Sequence, residues 1–342
     1  MTFAPSKVEK TGIGAMLLLS LFFCFFVWQQ ADALIVSPAR LEIEGDSGEK
    51  VSSTLDLVNN QDETKTFFSS AENFEAQGET GIPHFVESDE ELAAWINVKS
   101  QIILEPGERK EIPFTVSIPT DAGVGGHFAA IFWSTKPPDV GKGQIAVGAK
   151  VGILVFLKVR GDIVEQGEII EISSLAEKTV FDSLPIDLMY RFENSGNDRT
   201  KPIGELVIKN TFGKEVEKIP ANKKQGSVLP ESVRKFFISW GRDEAEDVEK
   251  KFKEGTLYPP ESFFAKAKSQ LSPFAIGKYS ANLSLNYGLQ DNKANAQFAF
   301  WVIPWQLITI ILSILLVVLF GGRLTLRRYN KLIIARAQKA QK

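Results

Sequence analysis

The chain of 342 residues has a single cysteine, Cys24, and only two histidines, His84 and His127. A disulfide-stapled secreted domain is thereby excluded, and a zinc centre built on His and Cys has almost nothing to draw on. From Leu34 to Phe300 acidic side chains outnumber Lys and Arg, so the positive field that neutralises nucleic-acid phosphates is missing. Also absent are a Gly-x-Ser-x-Gly elbow and a glycine-rich loop ending in Lys-Ser or Lys-Thr, the signatures of a hydrolase nucleophile and a phosphate cradle. The cluster Gly123-Val-Gly125-Gly126 precedes the apolar run His127–Trp133 rather than a helix, and reads as a turn. Asp89-Glu90-Glu91 lacks the spacing of a calcium loop and reads as solvated charge. No catalytic residue, cofactor or metal site is expected. An envelope glycosidase, which needs only two carboxylates ~5 to 10 Å apart, is the residual enzymatic alternative.

What is present begins at the ends. Lys7 and Lys10 precede the apolar run Ala15–Trp28, followed by Ala31-Asp-Ala33, the layout of a secretory signal peptide over residues 1–33 with cleavage after Ala33. As a helix that run rises only ~21 Å, short of a ~30 Å hydrocarbon core. Cleavage would remove Cys24, leaving an exported body that holds together by core burial alone. Near the other end, Val302–Phe320 carries no charge and spans ~28 Å as a helix. Trp301 and Trp305 flank it on one side and Arg323, Arg327 and Arg328 on the other, an aromatic belt outside and positive charge inside. The expected layout is a transmembrane helix over 301–320, a basic cytoplasmic tail over 321–342 and an extracytoplasmic body.

The body reads as all-β. Short alternating or apolar runs punctuated by Gly, Pro and Asn recur: Ile35–Ile43, Val51–Val58, Thr64–Phe74, Gln101–Leu104, Lys110–Ile118, His127–Trp133 and Ile145–Val159. Ile112, Phe114, Val116 and Ile118 share one strand face, and Pro113 within that run argues for an edge or a bulge. Asp89–Trp95 reads as one short helical turn with Leu92 and Trp95 facing inward. After Arg160-Gly-Asp162 a second set follows: Ile163–Ile172, Val180–Phe192, Gly204–Asn210, Lys214–Ile219, Val233–Trp240, Lys278–Tyr287 and Ala294–Trp301. Two tandem immunoglobulin-like β-sandwiches over 34–160 and 161–300 are predicted.

Helical spacing of Val248/Phe252 and of Phe263/Ala267/Leu271 marks an insertion over 241–273. Phe252, Tyr258, Phe263 and Phe264 are its candidate partner-binding residues. The competing reading is a lid that buries these aromatics on its own sandwich.

The residues Ile35-Val-Ser-Pro-Ala-Arg-Leu-Glu-Ile43, Leu57-Val-Asn-Asn60, Leu104-Glu-Pro-Gly-Glu108 and Phe114-Thr-Val-Ser-Ile-Pro119 leading into Gly125-Gly-His-Phe-Ala-Ala-Ile-Phe132 resemble the first domain of bacterial WxL-interacting surface proteins. The layout of signal peptide, two immunoglobulin-like domains, span and short basic tail is similar too. This resemblance implies a non-enzymatic cell-envelope protein with a peptidoglycan-binding first domain and a second domain that binds other surface proteins. A more distant similarity is to the two-domain periplasmic pilus chaperones, which hold a partner by adding a strand to its sheet. It implies an assembly or chaperone-like factor, with the edge near Lys110–Ile118 as the pairing strand.

Overall fold

A computed structural model describes residues 34–86, 90–137, 150–242 and 261–340, together with 248, 250, 254 and 255. The expected signal peptide, Phe252 and Tyr258 lie outside the described residues. The body is all-β, in two sandwiches in succession.

In the first, strands β1 (Leu34–Ser37), β3 (Lys50–Asn59), β8 (Arg109–Ser117) and β6 (Ile96–Val98) form one sheet in the order β1-β3-β8-β6. The facing sheet runs β2 (Arg40–Gly45), β10 (Lys150–Val159), β9 (Gly125–Ser134), β4 (Lys65–Ala76) and β5 (Pro83–Val86), and β7 (Gln101–Leu104) pairs with the other end of β4. Alternation fills the space between them. Leu55, Leu57, Ile112, Phe114 and Val116 from one sheet meet Phe67, Ile131, Trp133, Ile153, Val155 and Leu157 from the other, all buried. Each contributes about 1.5 to 3 kcal/mol of hydrophobic stabilisation. A short helix, α1 (Glu91–Trp95), buries Leu92 in the same core.

The second sandwich packs β11 (Gly167–Ser174), β13 (Ile186–Asn194) and β16 (Ser232–Trp240) against the sheet β12-β18-β17-β14-β15. Those strands are β12 (Val180–Phe181), β18 (Asn292–Val302), β17 (Gly277–Tyr287), β14 (Ile203–Lys209) and β15 (Glu215–Pro220). Leu188, Tyr190, Phe192 and Ile238 face Leu206, Ile208, Leu283, Leu285 and Phe300 across its core.

Several elements differ from the sequence reading, among them Val180–Phe192, which is two strands in different sheets, β12 and β13. Ile35–Ile43 is not one strand: β1 pairs antiparallel with β3, the chain crosses at Pro38, and β2 pairs parallel with β10 in the other sheet. Apolar alternation continues through the crossing, so the pattern carries no mark of it. Pro113 pairs with Thr54 inside a full-length β3–β8 ladder, and β6 covers β8 only over 114–116, so the strand is an edge for its first half alone. The apolar helix begins at Trp305 rather than 301. Trp301 and Val302 end β18, where Val302 is buried in the second core, and Pro304 separates them from the helix α3 (Trp305–Ala340). A core strand ending in Phe300 and Val302 is as apolar as a span, and hydropathy merges the two. Trp305–Ile334 is long and apolar enough to cross a membrane, and its most apolar 18-residue stretch, with a mean hydropathy of 2.5, has no burial. The helix runs on through the basic tail that carries Arg323, Arg327 and Arg328.

In place of disulfides, each sandwich ties the end of a central strand with a buried asparagine. Asn59, the last residue of β3, donates from Nδ2 to the carbonyls of Glu63 (3.0 Å), Leu104 (3.1 Å) and Glu105 (3.1 Å), while its Oδ1 accepts from Gln61 N. Asn194, the last residue of β13, does the same with Asp198, Val228 and Gly196. Asn59→Ala would leave buried carbonyls without a donor and is expected to lower first-domain stability by about 2 kcal/mol in urea unfolding. An unchanged midpoint would show that water replaces the amide at no cost.

Candidate functional site

Strand β10 reads Lys-Val-Gly-Ile-Leu-Val-Phe-Leu-Lys-Val, an unbroken apolar run where a one-faced strand would alternate. Such a run signals burial on both faces. Ile153, Val155 and Leu157 point into the sandwich, and Phe156 points out of it. On that outer face the cross-strand pairings bring Phe74, Phe85, Phe128, Phe132 and Phe156 together. Neighbouring rings lie 4.9 to 6.1 Å apart, from Phe85–Phe132 to Phe74–Phe85, mostly edge to face. Cations roof the layer. Lys150 Nζ sits 4.2 Å from the Phe132 ring centre and 2.6 Å from Glu72, and the guanidinium groups of Arg40 and Arg199 lie over Phe156 at 5.3 and 4.9 Å. The sequence reading assigned no role to these rings. The signal that would have found them is the two-sided apolarity of β9 and β10.

Phe74 and Phe156 of this layer line a cleft of about 80 Å³ between the two sandwiches, with Val228, Leu229 and Val233 opposite and Arg40 and Arg234 also lining it. Arg40 is exposed and has no carboxylate partner among the described residues.

The sandwiches are docked by charge and backbone contacts around this cleft. Glu42 on β2 accepts from Arg199 (2.6 Å) and Lys201 (3.2 Å), and Lys158 pairs with Asp198 (3.2 Å). Partial burial tends to raise the Glu42 carboxyl, but Arg199 and Lys201 outweigh it and hold it below its usual range. From the turn after β4, Glu79 reaches Arg191 Nε (3.0 Å) and Lys235 Nζ (3.2 Å), and its carbonyl accepts from Lys235 N (2.8 Å). The Arg191 hydrogen bond dominates in holding the Glu79 carboxyl down, against a smaller desolvation effect and with help from Lys235. Gly126 N donates to Asn197 O (2.9 Å), and a Cβ on Gly125, at φ +122°, would stand 2.1 Å from that oxygen. Only glycine permits this approach.

An open stretch of strand edge lies beside the aromatic layer in the first sandwich. β2 covers β10 from Leu154 to Val159, so among the described residues Lys150–Ile153 has β9 on one side and no strand on the other. Leu154 N donates to Ala39 O (3.1 Å) on the β2 side. Because successive backbone groups alternate sides, Gly152 and Lys150 present their N–H and C=O to the open side. Several other edges are blunted: the open half of β8 is charged (Arg109, Lys110, Glu111) and contains Pro113, β15 is charged (Glu215, Glu217, Lys218) and ends in Pro220, and β1, β5, β6 and β12 are short.

Of the expected site residues, Phe263 and Phe264 lie on a helix, α2 (Phe263–Ser269), beside the root of α3. Phe263 meets Trp305 with ring centres 5.7 Å apart, and both phenylalanines are exposed, so neither is buried beneath a lid. Val248, by contrast, is buried against Leu175, Met189 and Phe237 of the second sandwich. His127 lies 2.7 Å from Glu91 and 2.8 Å from the Gly123 carbonyl, its ring 4.7 Å from that of Trp95 and tilted to it.

No family model matches the sequence, and no curated protein does. Among solved structures, the chain is similar to the class 5 fimbriae chaperone CfaA at 12% identity and a TM-score of 0.38, over 78% of this chain and 99% of that one. It is also similar to the E. coli chaperone DraB (12%, TM-score 0.33, 79% and 96% covered) and to the Pseudomonas aeruginosa CupB2 chaperone (9%, TM-score 0.33, 78% and 100% covered).

The depressed carboxyls at the domain junction set a pH dependence. A carboxylate lowered in the folded state stabilises it above the unfolded pKa, and that contribution fades as pH falls through the folded value. Acidification below the normal carboxylate range is therefore expected to loosen the docking before either sandwich unfolds, read as a larger radius of gyration in small-angle scattering. Glu42→Gln with Glu79→Gln is expected to give the same expansion at neutral pH. Identical scattering in all three conditions would rule out these pairs as the clamp.

Proposed function

We propose that the protein is a membrane-anchored, non-enzymatic envelope protein that holds an extended segment of another protein by adding it as a strand beside β10. The observation that carries this reading is the open side of Lys150–Ile153, a short run of backbone groups with no strand partner there among the described residues. A strand entering there lies in line with β2 and continues the sheet with main-chain hydrogen bonds. At its end stands Arg40, available to an anionic group, with the cleft beyond. The edge of choice thus moves from Lys110–Ile118 to β10, because β3 covers one side of β8, β6 covers residues 114–116 on the other, and the half left open is charged and contains Pro113. In this reading α3 crosses the membrane with Arg323, Arg327 and Arg328 inside and the body outside, following the positive-inside rule.

The test uses short synthetic peptides of alternating branched apolar residues and the purified body. Binding is expected to protect the Lys150 and Gly152 amides from hydrogen exchange. Lys150→Ala, which keeps the edge N–H but loses the Glu72 pair, should bind nearly as the parent does. Lys150→Pro, which removes the N–H, should weaken binding roughly tenfold, the worth of one hydrogen bond. Equal binding by the two variants, or protection at a different edge, would overturn the proposal.

A further inference from the structure

The membrane end of the second sandwich carries exposed apolar side chains from three separate elements. Phe264, 76% exposed, stands on α2. Leu271, Phe274 and Ile276, all exposed, follow that helix and lead into Gly277, which pairs with Val302. Phe212, 93% exposed, tips the turn between β14 and β15. That turn lies at the same end, since Thr211 Oγ1 donates to Lys278 O (2.9 Å) and accepts from Lys278 N (3.0 Å). In the β17–β18 ladder Gly277 pairs with Val302 and Lys278 with Trp301, and α3 begins at Trp305.

The root of α3 is fastened to this end of the sandwich. Leu307 N, an unpaired donor of the first helical turn, donates to Gln270 Oε1 (2.9 Å), and the Gln270 amide donates to Gln306. Lys266 Nζ pairs with Asp182 (2.8 Å), which Gln306 also approaches (3.5 Å). Partial burial tends to raise the Asp182 carboxyl, and Lys266 outweighs it, holding it below its usual range. The helix therefore leaves the sandwich through a hydrogen-bonded collar.

We infer that this end of the second sandwich is seated in the bilayer interface, with Phe212, Phe264, Leu271, Phe274 and Ile276 inserted among the lipid headgroups around the root of the span. The inference rests on the reading of α3 as membrane-spanning. Its occupant is lipid because the patch is continuous with the span and flanked by Trp305, at the depth where aromatic residues collect. The α2 segment has no acidic residue, and Lys268 on it is exposed to meet lipid phosphate. Clustered apolar exposure of this kind is rare on a surface that meets only water.

The full chain with Cys24→Ser, carrying one environment-sensitive fluorophore at Phe264→Cys, Phe212→Cys, Leu289→Cys or Leu316→Cys, is reconstituted into phosphatidylcholine/phosphatidylglycerol vesicles. Labels at 264 and 212 are expected to shift to the blue and lose most of their emission to lipids bearing a nitroxide high on the acyl chain. The label at 289, at the opposite end of the sandwich, is expected to stay water-like. If 264 and 212 stay water-like while 316 is quenched, the span stands and the seat is overturned. If 264 and 212 are shielded from water yet unquenched by lipid, a protein or a second copy covers the patch, and the seat is again overturned. Failure to quench 316 would remove the span itself.

Discussion

The arrangement of the first sandwich depends on one strand being shared between two sheets. By crossing at Pro38, the chain closes the edge of β3 with β1 and half the edge of β10 with β2. Neither sheet is left with a long open edge, which is how a sandwich avoids indiscriminate pairing. The division is uneven, however, and the remainder is the open side of Lys150–Ile153. Had the strand run beside β10 along its whole length, β10 would be covered from end to end, and the aromatic layer beside it would flank no opening. The proposed binding edge and the closure of the fold are two results of one crossing.

The same region explains why the outer face of a sheet, normally solvated, is apolar here. Phe74, Phe128 and Phe156 are covered partly by one another and partly by the second sandwich across the cleft, with Arg40 and Arg199 over Phe156. The docking pairs around it are only partly buried, so each is a modest contributor. Their value lies in fixing geometry: Glu42, Glu79 and Asn197 meet the opposite sandwich at separate points, which resists rotation more than a single contact would. A partner laid along β10 therefore meets a preformed groove rather than a hinge.

Much of this was legible in the sequence, for identifiable reasons. The alternation of Ile112, Phe114, Val116 and Ile118 marks β8 because one of its faces is wet, and the turn Glu105-Pro-Gly-Glu108 bounds it. The two-sandwich division follows from the pattern restarting after Gly161. Strands β5 and β6 were missed because runs of three or four residues show no period. The crossing at Pro38 was hidden because side-chain alternation continues while the hydrogen-bonding partner changes. The start of the helix was displaced because Phe300 and Val302 are apolar for a core, not for lipid. As for the site, two-sided apolarity in β9 and β10 was visible, whereas the open edge is a property of pairing and has no sequence signal of its own. Phe263 and Phe264 were singled out from their place in the insertion. Their setting against Trp305 depends on the fold bringing residues some forty positions apart into contact.

The collar at Gln270, Gln306 and Asp182 gives the two proposals a common mechanical sense. A sandwich hung on a flexible tether would let its binding edge face any direction. Here β18 runs directly into α3 through Pro304, and side chains from a second segment hold the first helical turn. Strands β17 and β18, 11 residues each, carry the body about 35 Å away from that end. At their far turn, Glu165 of the interdomain linker accepts from Leu289 N (2.6 Å), joining the first sandwich to the top of the second. The route from span to β10 thus consists of a fastened helix, a rigid sheet and a clamped junction. A segment added to β10 would be presented at a fixed height and orientation above the bilayer, which suits a protein that receives another chain at the membrane and holds it in an extended form.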